Sequence, residues 1–244
     1  MTINTMEELY GRVHSFQSMG TLDGPGVRSV VFMQGCPLRC CYCHNPDTWE
    51  TVGGALTGAG ALFQRVRRYK GYFGARGGVT VSGGEPLLQA AFVRRFFSLC
   101  REDKIHTALD TSGCLLDGEA RALLDLCDLV LLDLKFTTEE AYRAHTGGTL
   151  AATLRFLDEL EKRKIPVWVR QVIAPGLNDD EENIGRLGRL ISPYSCVEKV
   201  ELLPFRRLCL EKYQAMGIPF PMGDTPEADP EMVARLQALV RLAK

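Results

Sequence analysis

Cys36, Cys40 and Cys43 follow a C-x3-C-x2-C spacing, and with Cys41 they put four of the chain's nine cysteines in one short loop. Three thiolates so close in sequence can turn toward one centre, and soft sulfur donors select zinc or an iron–sulfur cluster. A structural zinc site normally takes four protein ligands, and no second C-x2-C pair is present to complete one. His44 and Cys41 each adjoin a ligand and are badly placed to reach the same metal. Cubane clusters are usually held by four cysteines. Three would leave one iron with an open coordination position, able to bind a substrate or cofactor.

Other polar motifs recur along the chain: SGGEP (Ser82–Pro86), DTSG (Asp110–Gly113), DLK (Asp133–Lys135), Arg170 and LLPF (Leu202–Phe205). Each lies in or just after a short apolar or β-branched run, over residues 27–33, 79–82, 106–109, 129–134, 167–172 and 200–203. Between these runs helices are expected over 58–69, 87–102, 118–126, 150–164 and 179–191, where apolar residues recur at helical spacing. A loop over 217–230 and a final helix over 231–243 close the chain. Strand alternating with helix argues for βα units and a parallel sheet. Six units are too few for a closed eight-stranded barrel, so the expected fold is α/β, a partial open (β/α)6 barrel. In such folds loops at the carboxyl ends of the strands converge on one face. The motifs are therefore expected to form one shared site.

Length and composition agree. The chain has 244 residues and 27.1 kDa, which suits a single domain over 1–244, with a core of about 11–206 and a tail over 207–244. Apolar residues are 45% and charged residues 24%, which excludes disordered and fibrous classes. A net charge of −1 argues against a protein that mainly covers nucleic-acid phosphates. An odd cysteine count bunched in one loop does not read as a disulfide framework. With no signal-peptide pattern and no membrane-spanning run, the expected location is the reducing cytoplasm, away from membranes. The scattered Cys100, Cys114, Cys127, Cys196 and Cys209 read as small core residues.

The cysteine loop after the first strand, followed by a GGEP loop, resembles the radical S-adenosylmethionine (radical SAM) superfamily. TLDGPGVRSVVFMQGC (Thr21–Cys36), YCHNPDTW (Tyr42–Trp49), SGGEPLLQ (Ser82–Gln89), LDTSG (Leu109–Gly113), LDLK (Leu132–Lys135) and ELLPF (Glu201–Phe205) resemble, in order, the activating enzymes of glycyl-radical enzymes, in particular the pyruvate formate-lyase type. The resemblance implies a [4Fe–4S] cluster on Cys36, Cys40 and Cys43, with S-adenosylmethionine (SAM) chelating the fourth iron. Its reductive cleavage gives methionine and a 5′-deoxyadenosyl radical, which takes hydrogen from a backbone glycine of a partner glycyl-radical enzyme. An electron donor such as flavodoxin or ferredoxin is implied, and the activase is expected to be a monomer.

The same resemblance assigns roles residue by residue. Gly83, Gly84 and Glu85 receive the methionyl amino group, and Tyr42 contacts adenine. Asp110, Thr111 and Asp133 form a monovalent-cation site, for Na+ or K+, beside the SAM carboxylate. Leu134 and Lys135 continue that loop, and Lys135 either neutralises the SAM carboxylate or pairs with Asp133. Asp23, His44 and Arg170 lie next to the peptide substrate. Plainer readings stand beside these: a tight turn at the glycines, a buried tyrosine, helix-capping aspartates, a structural salt bridge at Arg170. The basic run Arg67, Arg68 and Lys70 reads as a solvated helix face. Two departures from the family pattern stand out. Arg206 stands where activators of this type usually carry a histidine near the SAM ribose or methionine end. No cysteine occurs between Cys43 and Gly83, so a single cluster is expected, without the ferredoxin-like insertion of some relatives. The alternatives are an activase of another glycyl-radical enzyme, a radical SAM enzyme acting on a small molecule, a zinc-stabilised interaction module, or an iron–sulfur electron carrier.

Overall fold

The computed structural model describes residues 8–240. In chain order the elements are β1 (Tyr10–Gly20), β2 (Arg28–Met33), β3 (Ala55–Gly58), α1 (Ala59–Arg67), β4 (Gly78–Gly83), α2 (Ala90–Glu102), β5 (His106–Thr111), α3 (Gly118–Leu124), β6 (Leu129–Asp133) and α4 (Glu139–Thr146). Then come α5 (Leu150–Arg163), β7 (Val167–Ile173), α6 (Glu181–Ile191), β8 (Val197–Pro204), α7 (Leu210–Met216) and α8 (Pro230–Leu239). One eight-stranded sheet runs in the order β3-β1-β2-β4-β5-β6-β7-β8. From β2 to β8 every neighbouring pair is parallel. The two ends of the order do not pair, so the barrel stays open.

All six expected strands are present. β1 and β3, which pair antiparallel on the β2 side, were not expected. YGRVHSFQSMG alternates burial with exposure and lacks an apolar run, and ALTG is four mostly exposed residues. The parallel strands from β2 to β7 are buried along most of their length, as a sheet with both faces covered requires, while β8 at the edge is half-exposed. Phe96, Phe97, Leu123, Phe156, Leu160 and Leu187 on the helices are fully buried. Helix starts follow from polar caps: Asp117, Thr138, Thr149 and Asp180 each accept a backbone N–H from the first turn, which satisfies one orphan donor. The helix expected from residue 87 opens as a 3₁₀ turn over Pro86–Gln89 before α2. α4 and α7, at eight and seven residues, are too short to show a period.

Arg28 locks the amino end of the barrel. It is fully buried and donates to Thr80 Oγ1 at 2.7 Å, the Val79 carbonyl at 2.7 Å and the Pro25 carbonyl at 3.1 Å. Burial pulls its pKa down to about 10, against the carboxylates of Asp128 and Asp23. Thr80 in turn donates to the Asp23 carbonyl at 2.6 Å. The DGPG turn is thereby fixed over the sheet.

The tail after β8 serves both an edge and a loop. On the exposed side of β8, the Leu202 N–H donates to Gln237 Oε1 at 2.8 Å and Gln237 Nε2 donates to the Val200 carbonyl at 3.1 Å. One amide side chain thus occupies ladder positions that would otherwise offer pairing to another chain. Meanwhile α7 sets Lys212 Nζ 2.8 Å from Asn45 Oδ1 and 3.1 Å from Asp47 Oδ1. The expected final helix is present to Leu239, and its last expected residues, 241–243, lie outside the described ones. Among the described residues no helix is long and apolar enough to cross a membrane.

Gln237→Ala leaves both β8 ladder groups without their partner. A loss of about 1–2 kcal/mol in urea denaturation is expected, with faster hydrogen exchange at the Leu202 amide than at Val169 in the central sheet. Unchanged exchange at Leu202 would show that α8 does not hold the edge.

Candidate active site

The cysteine loop is folded by its own backbone. Gly35 turns the chain out of β2 at φ +97°, a value that favours glycine. Its N–H donates to the Thr48 carbonyl at 2.8 Å, and the Cys36 N–H donates to the Trp49 carbonyl at 3.1 Å. The Arg39 and Cys41 N–H groups donate to the Thr146 and His145 carbonyls at the end of α4, both at 2.8 Å. Arg39 Nη1 caps the Cys36 and Leu38 carbonyls at 2.8 and 2.9 Å. Burial pushes the Cys36 thiol up to about 11 and Cys40 up to about 12, and raises Cys43 as well. Thiols in such surroundings ionise near neutrality only against a positive centre, which is how metal binding couples to proton release.

The three thiols line one cavity of about 290 Å³. Tyr42, His44, Gly83, Gly84, Glu85, Asp110, Thr111, Asp133, Lys135, Arg170 and Asp23 line the same cavity. Residues far apart in sequence meet there because six parallel strand ends open onto it.

Several side chains are committed to protein partners. A Cβ on Gly83 would lie 2.3 Å from the Met33 nitrogen, and one on Gly84 would lie 2.2 Å from the Gly35 carbonyl oxygen. Gly83 therefore permits close approach to the end of β2, and Gly84 permits close approach to the start of the cysteine loop. The Glu85 N–H donates to the Gly35 carbonyl at 2.7 Å across that contact. The Glu85 carboxylate is buried and accepts from Thr111 Oγ1 at 2.6 Å, Ser112 N at 3.0 Å and Ser112 Oγ at 2.6 Å. It braces two loops. Tyr42 is buried against Phe136, with its hydroxyl donating to the Lys135 carbonyl at 3.3 Å.

Asp110 and Asp133 do not cap helices. Arg170 Nη2 lies 2.6 Å from Asp110 Oδ1 and its Nε lies 3.2 Å from Asp133 Oδ1, while Lys135 Nζ lies 2.7 Å from Asp133 Oδ2. Ser82 donates to Asp110 Oδ2 at 2.6 Å. The Arg170 guanidinium thus lies between the two aspartates, and Thr111 turns to Glu85. Burial raises Asp110, against Arg170, up to about 6. Burial also acts on Asp133, but Lys135 and Arg170 together hold it below the ordinary carboxylate range.

Two expected residues stay outside the cavity. Leu134 is fully buried in the core, because neighbours in an extended chain point to opposite faces and Asp133 and Lys135 take the cavity side. Arg206 turns away to Glu227 at 3.0 Å. Its backbone remains at the rim, where its carbonyl accepts from His44 Nε2 at 2.8 Å. Ser82 and Ser112 line the cavity and were not singled out, although each is a hydroxyl beside a strand-end motif. Of the scattered cysteines, Cys100, Cys127, Cys196 and Cys209 are buried as expected. Cys114 is half-buried and close to the site, 3.9 Å from Glu85 Oε2.

Residues 30–188 match the model of the radical SAM superfamily. The chain is 44% identical over 232 residues to the pyruvate formate-lyase-activating enzyme of Clostridium pasteurianum, covering 95% of this chain and 97% of that one. The chain belongs to the radical SAM superfamily. It is also 42% identical to the pyruvate formate-lyase 1-activating enzyme of Escherichia coli K12, over 94% of this chain and 95% of the relative. A solved domain of a pyruvate-formate lyase-activating enzyme from Bacteroides vulgatus shares the fold, with a TM-score of 0.55 and 23% identity over 67% of this chain and 92% of that one. The radical SAM fold and the open sheet described above agree.

Breaking the buried charge cluster should be costly. Arg170→Met strands Asp110 and leaves Asp133 to Lys135 alone. It is expected to lose about 3–5 kcal/mol in urea denaturation, and adding Asp110→Asn should recover part of it. If the double variant is no more stable than the single one, Asp110 is not the group that Arg170 serves.

Proposed function

We propose that this chain is a SAM-dependent activase that installs a radical on a backbone glycine of a partner enzyme, and that the partner is pyruvate formate-lyase. The observation that carries the reading is the three-thiol loop without a fourth protein ligand, opening on a cavity edged by strand-end polar groups. Identity above 40% across nearly the whole of two activating enzymes supports the choice of partner. The same near-full-length identity favours this reading over activases of other glycyl-radical enzymes, small-molecule radical SAM enzymes, zinc modules and electron carriers.

In this reading Cys36, Cys40 and Cys43 hold one [4Fe–4S] cluster and the cavity takes SAM. When bound, the pair supplies a one-electron cleavage that delivers a 5′-deoxyadenosyl radical to the partner's glycine. The chain's own residues bind and orient. Glu85, with Thr111 and Ser112, fixes the GGEP and DTSG loops relative to the thiols. Lys135, beside Asp133, is the cation available to a substrate carboxylate, and Asp110 can exchange its partners for an ammonium group. Leu38, Tyr42 and Val172 exclude water from part of the wall. Asp23 and His44, with Arg170 behind them, face the side on which the peptide enters. Residues 1–244 work as one domain, in the cytoplasm, as a monomer served by a flavodoxin or ferredoxin. The partner contact is transient.

Anaerobic reconstitution with iron and sulfide should give one four-iron cluster per chain. Reduction with SAM should then yield methionine and 5′-deoxyadenosine, and with pyruvate formate-lyase an organic doublet in electron paramagnetic resonance. Cys40→Ala should abolish cleavage, while Cys100→Ala should retain activity within about twofold. A reduced, fully loaded protein that binds SAM without cleaving it would sink the reading.

A further inference from the structure

Trp49 is clamped against the cysteine loop on every side. Its carbonyl accepts the Cys36 N–H at 3.1 Å and its own N–H donates to the Pro46 carbonyl at 3.1 Å. The Arg39 guanidinium lies over its ring at 5.0 Å, and Tyr213 from α7 meets it edge-on at 6.0 Å. A ring held this way has little freedom to turn. Yet its indole N–H is buried and makes no hydrogen bond. A buried donor without a partner costs about 1–3 kcal/mol, so native structures rarely keep one without a use.

The group that the indole approaches is the Cys43 sulfur. Two hydrogen-bond donors are directed at that sulfur, the Asn45 backbone N–H and the Trp49 side chain. A neutral thiol is a weak acceptor, whereas a metal-bound thiolate is a good one. The donor is thus in place for a charge that appears only when the site is loaded.

We propose that the Trp49 indole N–H donates a hydrogen bond to the Cys43 sulfur in the cluster-bound protein, and that this bond raises the cluster's reduction potential. The proposal rests on the [4Fe–4S] reading above. Reduction adds negative charge to the cluster and its sulfur ligands, so a donor aimed at one of them stabilises the reduced state more than the oxidised one. Hydrogen bonds to sulfur are among the levers that set such potentials. Trp49 acts through Cys43 and is a positioning residue. Tyr213, itself carrying a buried hydroxyl without a partner, holds the indole edge in place, so the tail contributes to the cluster's surroundings.

Trp49→Phe keeps a ring between Arg39 and Tyr213 and removes the donor. Wild type and variant are reconstituted, their four irons verified, and midpoint potentials measured without SAM by spectroscopic redox titration at one pH. The variant is expected to have a reduced-to-oxidised ratio about threefold to tenfold lower at a given potential. That is a negative shift of about 30–60 mV, at 59 mV per tenfold for one electron. Resonance Raman should also show an iron–sulfur stretch that shifts on D2O exchange in wild type and not in Trp49→Phe. An unchanged or more positive potential overturns the proposal. If Trp49→Phe fails to load, the same measurements are made with benzothienylalanine, which has sulfur in place of the indole N–H, at position 49 of a Trp168→Phe chain. The same outcomes then decide. Failure of wild type to form a four-iron cluster would instead overturn the underlying reading.

Discussion

A low-polarity cavity that must hold several negative groups at once constrains everything around it. Three thiols, two strand-end aspartates and a buried glutamate face one space, and burial alone would keep most of them protonated. The chain answers with specific partners. Arg170 and Lys135 sit beside Asp110 and Asp133, Glu85 is surrounded by hydroxyl and backbone donors, and the thiols are left for a metal centre. Removing a cation from such a set is costly because the remaining charge has nowhere to go. The arrangement also explains why the site lies at the carboxyl ends of parallel strands. Only there do six loops from distant parts of the sequence arrive within one ligand's reach.

The same charge balance bears on binding. Lys135 and Arg170 are already paired, so a zwitterionic ligand has to exchange partners with them. A carboxylate arriving at Lys135 competes with Asp133, and an ammonium group arriving near Asp110 competes with Arg170. Exchange costs less than new burial of a charge, because each protein group keeps a partner throughout. The glycines contribute differently from what a GG pair suggests on its own. The missing Cβ of Gly83 lets its strand end lie against Met33 in β2, and that of Gly84 lets the loop lie against Gly35. This fixes where the cysteine loop starts relative to Glu85, while both glycines also line the cavity.

Much of this was legible in the sequence, for identifiable reasons. Five of the six parallel strands are largely buried runs bounded by turn residues, and the polar motifs of all six lie at chemically meaningful ends, so the open α/β barrel and its shared cavity followed. β1 and β3 escaped because half-exposed strands at a sheet's edge carry weak patterns, and α4 and α7 because one or two turns cannot display a period. Side-chain pairing was the harder problem. That Arg170 would lie between Asp110 and Asp133, or that Arg206 would turn to Glu227, depends on three-dimensional neighbours more than thirty or about twenty residues away in sequence. The resemblance to activating enzymes named the right loops, while the partner of each charge had to come from the fold.

The tail shows how far such coupling extends. Its helix α7 ties Lys212 to Asn45 and Asp47 and sets Tyr213 against Trp49, all on the segment that follows the last cluster cysteine. Cys41, the thiol that breaks the spacing, meets the tail too, at 3.7 Å from Met222, so it packs outward while Cys36, Cys40 and Cys43 line the cavity. Arg206 begins this tail, and its ion pair with Glu227 closes the loop on itself at the surface. The Arg206 side chain is held outside the cavity by that pair, while its backbone carbonyl accepts from His44 at the rim, so the residue that departs from the family pattern meets the site through its backbone.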